Sequence, residues 1–180
     1  MSNKNINIAL VDDHKLFREG MKSILQQYDG FHVIFDAENG QDLLDKLESN
    51  QPDIILLDLE MPILDGIATL PFLKERFPDI HVIILAMHAD ESLMAHLMEK
   101  GANGYVLKDA GGDELKIAIE STLENGYFFS EVISKAMLNQ LVKKNKIKPV
   151  FKSTIQLTDR ETEVLKLICK EMTTAEIAEQ

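Results

Sequence analysis

Short apolar runs rich in branched residues alternate along this chain with segments whose apolar side chains recur every three or four positions. Residues 6–11, Ile-Asn-Ile-Ala-Leu-Val, form the first run and end in Asp12-Asp13. Leu16, Phe17, Met21, Ile24 and Leu25 then recur at helical spacing within residues 16–28. Residues 32–35 read as a strand, and residues 41–47 as a helix with Leu43, Leu44 and Leu47 on one face. The run Asp-Ile-Ile-Leu-Leu-Asp at 53–58 is a strongly apolar strand. A helix over 67–77 is stopped by Pro78, a strand occupies 81–85, and a helix over 91–100 ends at Gly101. Residues 104–107 form a fifth short strand. A helix over 114–123 carries Leu115, Ala118, Ile119 and Thr122 on one stripe, with Gly126 as its stop.

Five strands alternating with five helices predict an α/β fold, a doubly wound five-stranded parallel sheet. The strands are continuous apolar runs, as burial on both faces requires. In such open sheets ligands sit at the carboxyl ends of the strands, so chemistry is sought there.

Beyond Gly126 the pattern changes. Residues 131–142 read as one more helix. Residues 143–152 then hold five lysines, one proline and no acid, the pattern of a solvated tether or a phosphate-contacting arm. Thr158-Asp-Arg-Glu161 matches a capping box, with Val164, Leu165, Ile168 and Met172 following at helical spacing. Thr173-Thr-Ala-Glu176 opens a second helix, which the sequence leaves after Gln180, so this last unit reads as cut short. The expected organisation is a first domain at 1–126, a helix and Lys-rich linker at 127–156, and the start of an incomplete second domain at 157–180.

Composition adds limits. At 45% hydrophobic and 27% charged residues the chain is an ordinary globular protein. Its net charge of −11 argues against strong nucleic-acid binding by these 180 residues, because phosphate contacts need a basic face. The single cysteine, Cys169, allows no internal disulfide, fits a reducing compartment and reads as a small core residue. No apolar run approaches the roughly 18 residues of a membrane span. The polar start at residues 1–7 shows no signal peptide, so the expected location is cytoplasmic.

The predicted strand ends concentrate the chemistry. Asp12 and Asp13 end the first strand, Asp58 ends the third, and Lys108 follows the fifth. Any one of them is an unremarkable turn residue. Together they place three carboxylates and an ammonium at one edge of the sheet if the first and third strands are neighbours. Crowded carboxylates repel and call for a cation, and an all-oxygen donor set suits Mg²⁺. Lysine supplies a compact charge for a phosphate or a carboxylate.

Val11-Asp12-Asp13-His14, Leu57-Asp58-Leu-Glu-Met61-Pro62-Ile-Leu-Asp65-Gly66 and Gly101-Ala-Asn-Gly-Tyr-Val-Leu-Lys108-Asp109 resemble, as a set, the receiver domain of two-component response regulators. The resemblance covers roughly residues 6–125. It implies Asp58 as phosphoacceptor and Lys108 as the lysine that pairs with the phosphoryl group. It implies a Mg²⁺ site made by Asp13, Asp58 and the Glu60 backbone carbonyl, with Asp12 ordering metal-bound water or ligating directly. Tyr105 matches the aromatic that swings on activation. One piece departs from the pattern: Ala86 stands where the family places Ser or Thr at the end of the fourth strand. The missing hydrogen bond to a charged group is worth about 1.5–3 kcal/mol, so coupling between phosphorylation and the fold is expected to weaken. Two outcomes stay open. Tyr105 samples both orientations, or alanine's small size already leaves it room to sit inward. His88, two residues on, reads as an exposed loop histidine with a compensating role as the alternative.

Leu157-Thr-Asp-Arg-Glu161-Thr-Glu-Val-Leu165 and Met172-Thr-Thr-Ala-Glu-Ile177-Ala178 resemble the start of a LuxR-type helix-turn-helix domain, as in NarL/FixJ-type transcription regulators. The groove-reading helix would follow Gln180, and residues 158–180 hold six acids against three bases, so no DNA-binding residue is expected within the chain. The resemblances imply a phosphoprotein served by a sensor histidine kinase, dimerising on activation. The intact output domain would control transcription by binding DNA. The receiver would assist its own phosphoryl transfer without being an enzyme in the usual sense. The alternative is a phosphorylation-dependent protein-interaction module without DNA binding. A haloacid-dehalogenase-type phosphatase fits worse, since it expects Asp-x-Asp at the first strand and here the two acids are adjacent.

Overall fold

The computed structural model describes residues 5–130 together with Ser134 and Lys135. All belong to the first of the two units into which the chain divides, residues 1–144. The tether, the capping boxes at 158–161 and 173–176, Cys169 and most of the helix expected over 131–142 lie outside the described residues; Ser134 and Lys135 are helical.

The elements alternate as the hydrophobic pattern requires: β1 (Ile6–Val11), α1 (Lys15–Leu25), β2 (Phe31–Ala37), α2 (Gly40–Leu47), β3 (Ile54–Asp58), α3 (Gly66–Arg76), β4 (His81–Ala86), α4 (Glu91–Glu99), β5 (Gly104–Leu107), α5 (Gly112–Asn125) and β6 (Phe128–Phe129). The sheet runs β2-β1-β3-β4-β5-β6, and every pairing is parallel. It therefore has six strands where the sequence pattern predicts five. The extra one is two residues long, too short for any periodicity to reveal. It forms where the chain, turned by Gly126 at φ 85°, runs back beside Gly104 and Tyr105.

The strands are buried on both faces, and alternate residues serve opposite layers. Ile8 and Leu10 of β1 join Met21 and Leu25 of α1 and Leu115, Ala118 and Ile119 of α5. Ala9 and Val11 join Leu43 and Leu47 of α2, Leu70 and Leu73 of α3, and Met94 and Leu97 of α4. Two residues of the α1 pattern fall outside the core: Leu16 is 86% exposed and Ile24 36%. The buried stripe of α1 is Phe17, Met21 and Leu25, spaced by four, and Leu16 sits one residue round the helix on the row shared with Gly20 and Ile24.

Acid and amide side chains start three of the helices that lead away from the strand ends, α2, α3 and α4. Asn39 Oδ1 accepts from Asp42 N at 3.0 Å, Asp65 Oδ1 from Ala68 N at 2.7 Å, and Asp90 Oδ1 from Ser92 N and Leu93 N at 2.8 Å each. Such caps satisfy amides that have no partner within the helix. Strand order reverses at β1, whose neighbours are β2 and β3, so the crevice between the ends of β1 and β3 is the place this topology offers a ligand.

Candidate functional site

Asp12 and Asp13 follow directly from β1, and Asp58 is the last residue of β3, aligned beside it by the parallel register that pairs Val11 with Leu57. Lys108 follows β5 and is tied to the end of β4 by its amide, which donates to Ala86 O at 2.8 Å. Four side chains from three distant strand ends thus meet over the sheet. Lys108 Nζ lies 2.7 Å from Asp12 Oδ2 and 2.8 Å from Asp58 Oδ2. All three groups are almost fully withdrawn from solvent, while Asp13 remains about a third exposed.

Backbone donors fix the carboxylates. Asp58 Oδ1 accepts from Leu59 N at 2.7 Å, and the Glu60 amide stands at 3.5 Å. Asp12 Oδ1 accepts from His14 N at 2.8 Å. Gly66 is forced at the start of α3: a Cβ there would collide with the Asp58 carbonyl oxygen, so Asp65-Gly66 lets the helix seat against the phosphoacceptor candidate's own backbone. Phe17 places its ring 5.0 Å from Lys108 Nζ, a cation–π contact from α1 that the sequence pattern did not single out.

Electrostatics follow from this burial. Desolvation is the largest influence on Asp58 and lifts its carboxyl above the usual range; Lys108 opposes that rise and Asp12 adds to it. For Lys108, burial alone would lower the ammonium, yet Asp12 and Asp58 together outweigh it and hold the group above the ordinary lysine value.

The buried oxygens Asp12 Oδ2 and Asp58 Oδ2 share the single Lys108 ammonium, at 2.7 and 2.8 Å, and Asp13 Oδ1 meets the His14 ring at 2.7 Å. One donor atom from each of Asp12, Asp13, His14 and Asp58 falls within 4.8 Å of all the others. Three crowded carboxylates around a single ammonium make a donor set that fits a divalent cation. The sequence pattern anticipated the three aspartates but not that His14 turns onto them.

The remaining candidates lie around the same open crevice of about 990 Å³, lined among others by Glu60, Ala86, His88 and Tyr105. Ala86 is buried at the end of β4. Tyr105 is 1% exposed, and its hydroxyl donates to the His88 backbone oxygen at 2.7 Å. Its ring is therefore inside the fold, where the sequence left its orientation open. His88 contributes that oxygen, while the residue itself is exposed.

Among the described residues no helix is long and apolar enough to cross a membrane.

Comparison with known proteins agrees with this geometry. The family described as the response regulator receiver domain matches residues 8–120. Transcriptional regulatory protein DegU of Brevibacillus brevis is 34% identical over 140 residues, 78% of this chain and 59% of that protein. Transcriptional regulatory protein LnrK of Bacillus subtilis is 32% identical over 180 residues, 97% of this chain and 82% of that protein. Among solved structures, a LuxR-family two-component response regulator from Aurantimonas superposes with a TM-score of 0.73 at 28% identity, over 77% of this chain and 99% of that one. The RcsB response regulator of Salmonella typhimurium gives a TM-score of 0.70 at 26% identity, over 98% and 82%. RcsB has also been solved as a complex with DNA and as dimers on DNA. A shared scaffold, a strand-end acid crevice and relatives matched over most of the chain lead to one assignment: this protein belongs to the response regulators, and residues 8–120 are its receiver domain.

Proposed function

We propose that Asp58 accepts a phosphoryl group from the phosphohistidine of a sensor histidine kinase, and that the regulator of which this chain is part controls transcription through a LuxR-type output domain. The observation that carries the first half is the juxtaposition of a buried carboxylate oxygen, Asp58 Oδ2, with Lys108 at 2.8 Å and two further carboxylates. In this reading the Asp58 carboxylate attacks phosphorus in line. The P–N bond to the donor imidazole breaks, and its electron pair stays on that nitrogen. Lys108 moves from carboxylate to phosphoryl oxygen and keeps the transferred charge paired. Phe17 limits where the ammonium can travel. Asp13, Asp58 and the Glu60 carbonyl would hold Mg²⁺, with Asp12 ordering its water or ligating directly. The ion supplies neutralising charge to the attacking and transferred oxygens.

The output half rests on the names and coverage of the relatives: LnrK and DegU are transcriptional regulators, and RcsB is seen as dimers on DNA. It divides the chain into a receiver at 1–126, a helix and linker at 127–156 and the beginning of the helix-turn-helix at 157–180. Dimerisation on activation and a cytoplasmic location belong to the same reading. The receiver is a phosphoacceptor that assists its own modification, not an enzyme acting on a separate substrate.

The test is intact mass after incubation with acetyl phosphate and Mg²⁺. One phosphoryl group is expected on the parent and none on Asp58→Asn. Equal labelling of the two would remove Asp58 from the role.

A further inference from the structure

His14 occupies the N-cap position of α1, yet its side chain makes no capping bond. It turns back onto the acids: Nδ1 lies 2.7 Å from Asp13 Oδ1 and 3.4 Å from Asp12 Oδ1. The ring is 72% exposed, so it reaches the crevice from the solvent side while Asp12 and Asp58 reach it from the buried side. Donors about 2.1 Å from a tetrahedral ion stand about 3.4 Å from one another. The four donor atoms here, none more than 4.8 Å from another, are within side-chain adjustment of that figure. Three carboxylates and one ammonium leave two negative charges, which one divalent ion offsets.

An oxygen-only set suits Mg²⁺, but imidazole beside carboxylates suits a borderline ion. We propose that His14 makes this crevice a mixed nitrogen–oxygen site that takes Zn²⁺ through His14 Nδ1 and the carboxylates of Asp12, Asp13 and Asp58, and that zinc there closes the receiver to phosphorylation. Closure follows from ligand count. Four protein donors complete a tetrahedral shell and leave no position for a phosphoryl oxygen, and the carboxylate that should attack is itself a ligand. A Mg²⁺ ion keeps water positions that a phosphoryl oxygen can enter. Zinc would displace the proton that lies between Nδ1 and Asp13 Oδ1 at 2.7 Å and release it to solvent, leaving the zinc-bound ring with its proton on Nε2. The inference rests on the reading that this crevice holds a divalent cation.

The experiment is calorimetric titration of the 180-residue chain with Zn²⁺ and, separately, Mg²⁺, with Cys169→Ser in every sample to remove the single thiol as a rival ligand. Histidine ring ¹⁵N shifts are followed in parallel. His14→Gln is expected to lower zinc affinity by at least the roughly ten- to hundredfold that losing an outer-shell partner costs, while leaving Mg²⁺ affinity unchanged. The Nδ1 resonance of His14 should move on zinc addition. His88→Gln, altering the other histidine of the crevice, should change neither affinity. Zinc affinity indifferent to His14→Gln, or zinc and magnesium affinities falling by the same factor, overturns the proposal. In either case Mg²⁺ binding by the parent leaves the cation reading standing, whereas a parent that binds neither ion overturns both.

Discussion

Lys108 Nζ stands 2.8 Å from Asp58 Oδ2 in a crevice where both side chains are at most 10% exposed, and the same ammonium also meets Asp12 at 2.7 Å. One cation thus serves two buried anions. Removing that one cation leaves both anions stranded in low dielectric, which costs more than the pairing itself contributes.

Lys108→Met is therefore expected to destabilise the metal-free chain by about 3 kcal/mol. Adding Asp58→Asn should recover part of that loss, because only Asp12 then remains uncompensated. A urea double-mutant cycle measures the coupling. Additive single effects would show that the ion pair is not formed in solution.

Asp58→Asn alone is expected to behave in opposite ways with and without cation. In EDTA the neutral side chain relieves a carboxylate whose ionised form burial disfavours, so the variant should melt at or above the parent. With Mg²⁺ in excess the parent should overtake it, by about 2.7 kcal/mol when the ion is at a hundred times its Kd. Thermal melts in the two buffers check this. A parent whose melting ignores Mg²⁺ would count against the carboxylate crevice as a metal site.

At the opposite end of the sheet, Lys74 donates to Ile80 O and Asn103 Oδ1, both neutral and both at 2.8 Å. Burial lowers its ammonium from 10.5 to about 8. The folded pKa lies below the unfolded one, so the stability tied to Lys74 is complete above pH 10.5 and is lost as pH falls through about 8. Against Lys74→Met, the parent should gain relative stability between those two values. Competitive amine acylation should give Lys74 a midpoint near 8. A midpoint with the surface lysines near 10.4 would contradict the burial argument.

The strands and the strand-end residues were legible because burial on both faces writes continuous apolar runs, and because the winding rule then says which ends face a ligand. Asp12, Asp13, Asp58 and Lys108 needed nothing more. β6 was not legible, since Phe128-Phe129 has no period. Leu16 fitted the helical spacing of α1 but sits on its crevice-side row, a distinction that depends on which neighbours α1 meets. The turn of His14 onto the acids and the inward seat of Tyr105 depend on partners brought by other elements, the carboxylates around β1 in one case and the His88 oxygen after β4 in the other. The residues that would carry an output domain lie outside those described.

Ala86 connects that last point to switching. The register pairs Ile84 with Tyr105 and Ala86 with Leu107, which sets Ala86 two residues along from the tyrosine's partner and in the same core layer. Tyr105 is buried, with its hydroxyl on the His88 oxygen. The buried ring agrees with the second of the two outcomes the sequence left open, in which alanine's small size would give Tyr105 room to sit inward. A ligand shifts a two-state equilibrium only by its differential affinity for the two states. A receiver already seated inward, and lacking the hydroxyl that would grip the phosphoryl group, has little such difference to exploit. Ala86→Thr restores both elements. Its added atoms should crowd Tyr105 outward in the unmodified protein, and its hydroxyl should be drawn to a phosphoryl mimic and release the space again. The part of that contact's worth that differs between the two states is about 1–2 kcal/mol, so the mimic-dependent change in the inward-to-outward ratio should grow roughly tenfold. Tyr105 ring shifts and dimerisation, each with and without beryllofluoride, give the measurement. Parent and variant responding alike would mean that position 86 does not set where the tyrosine sits.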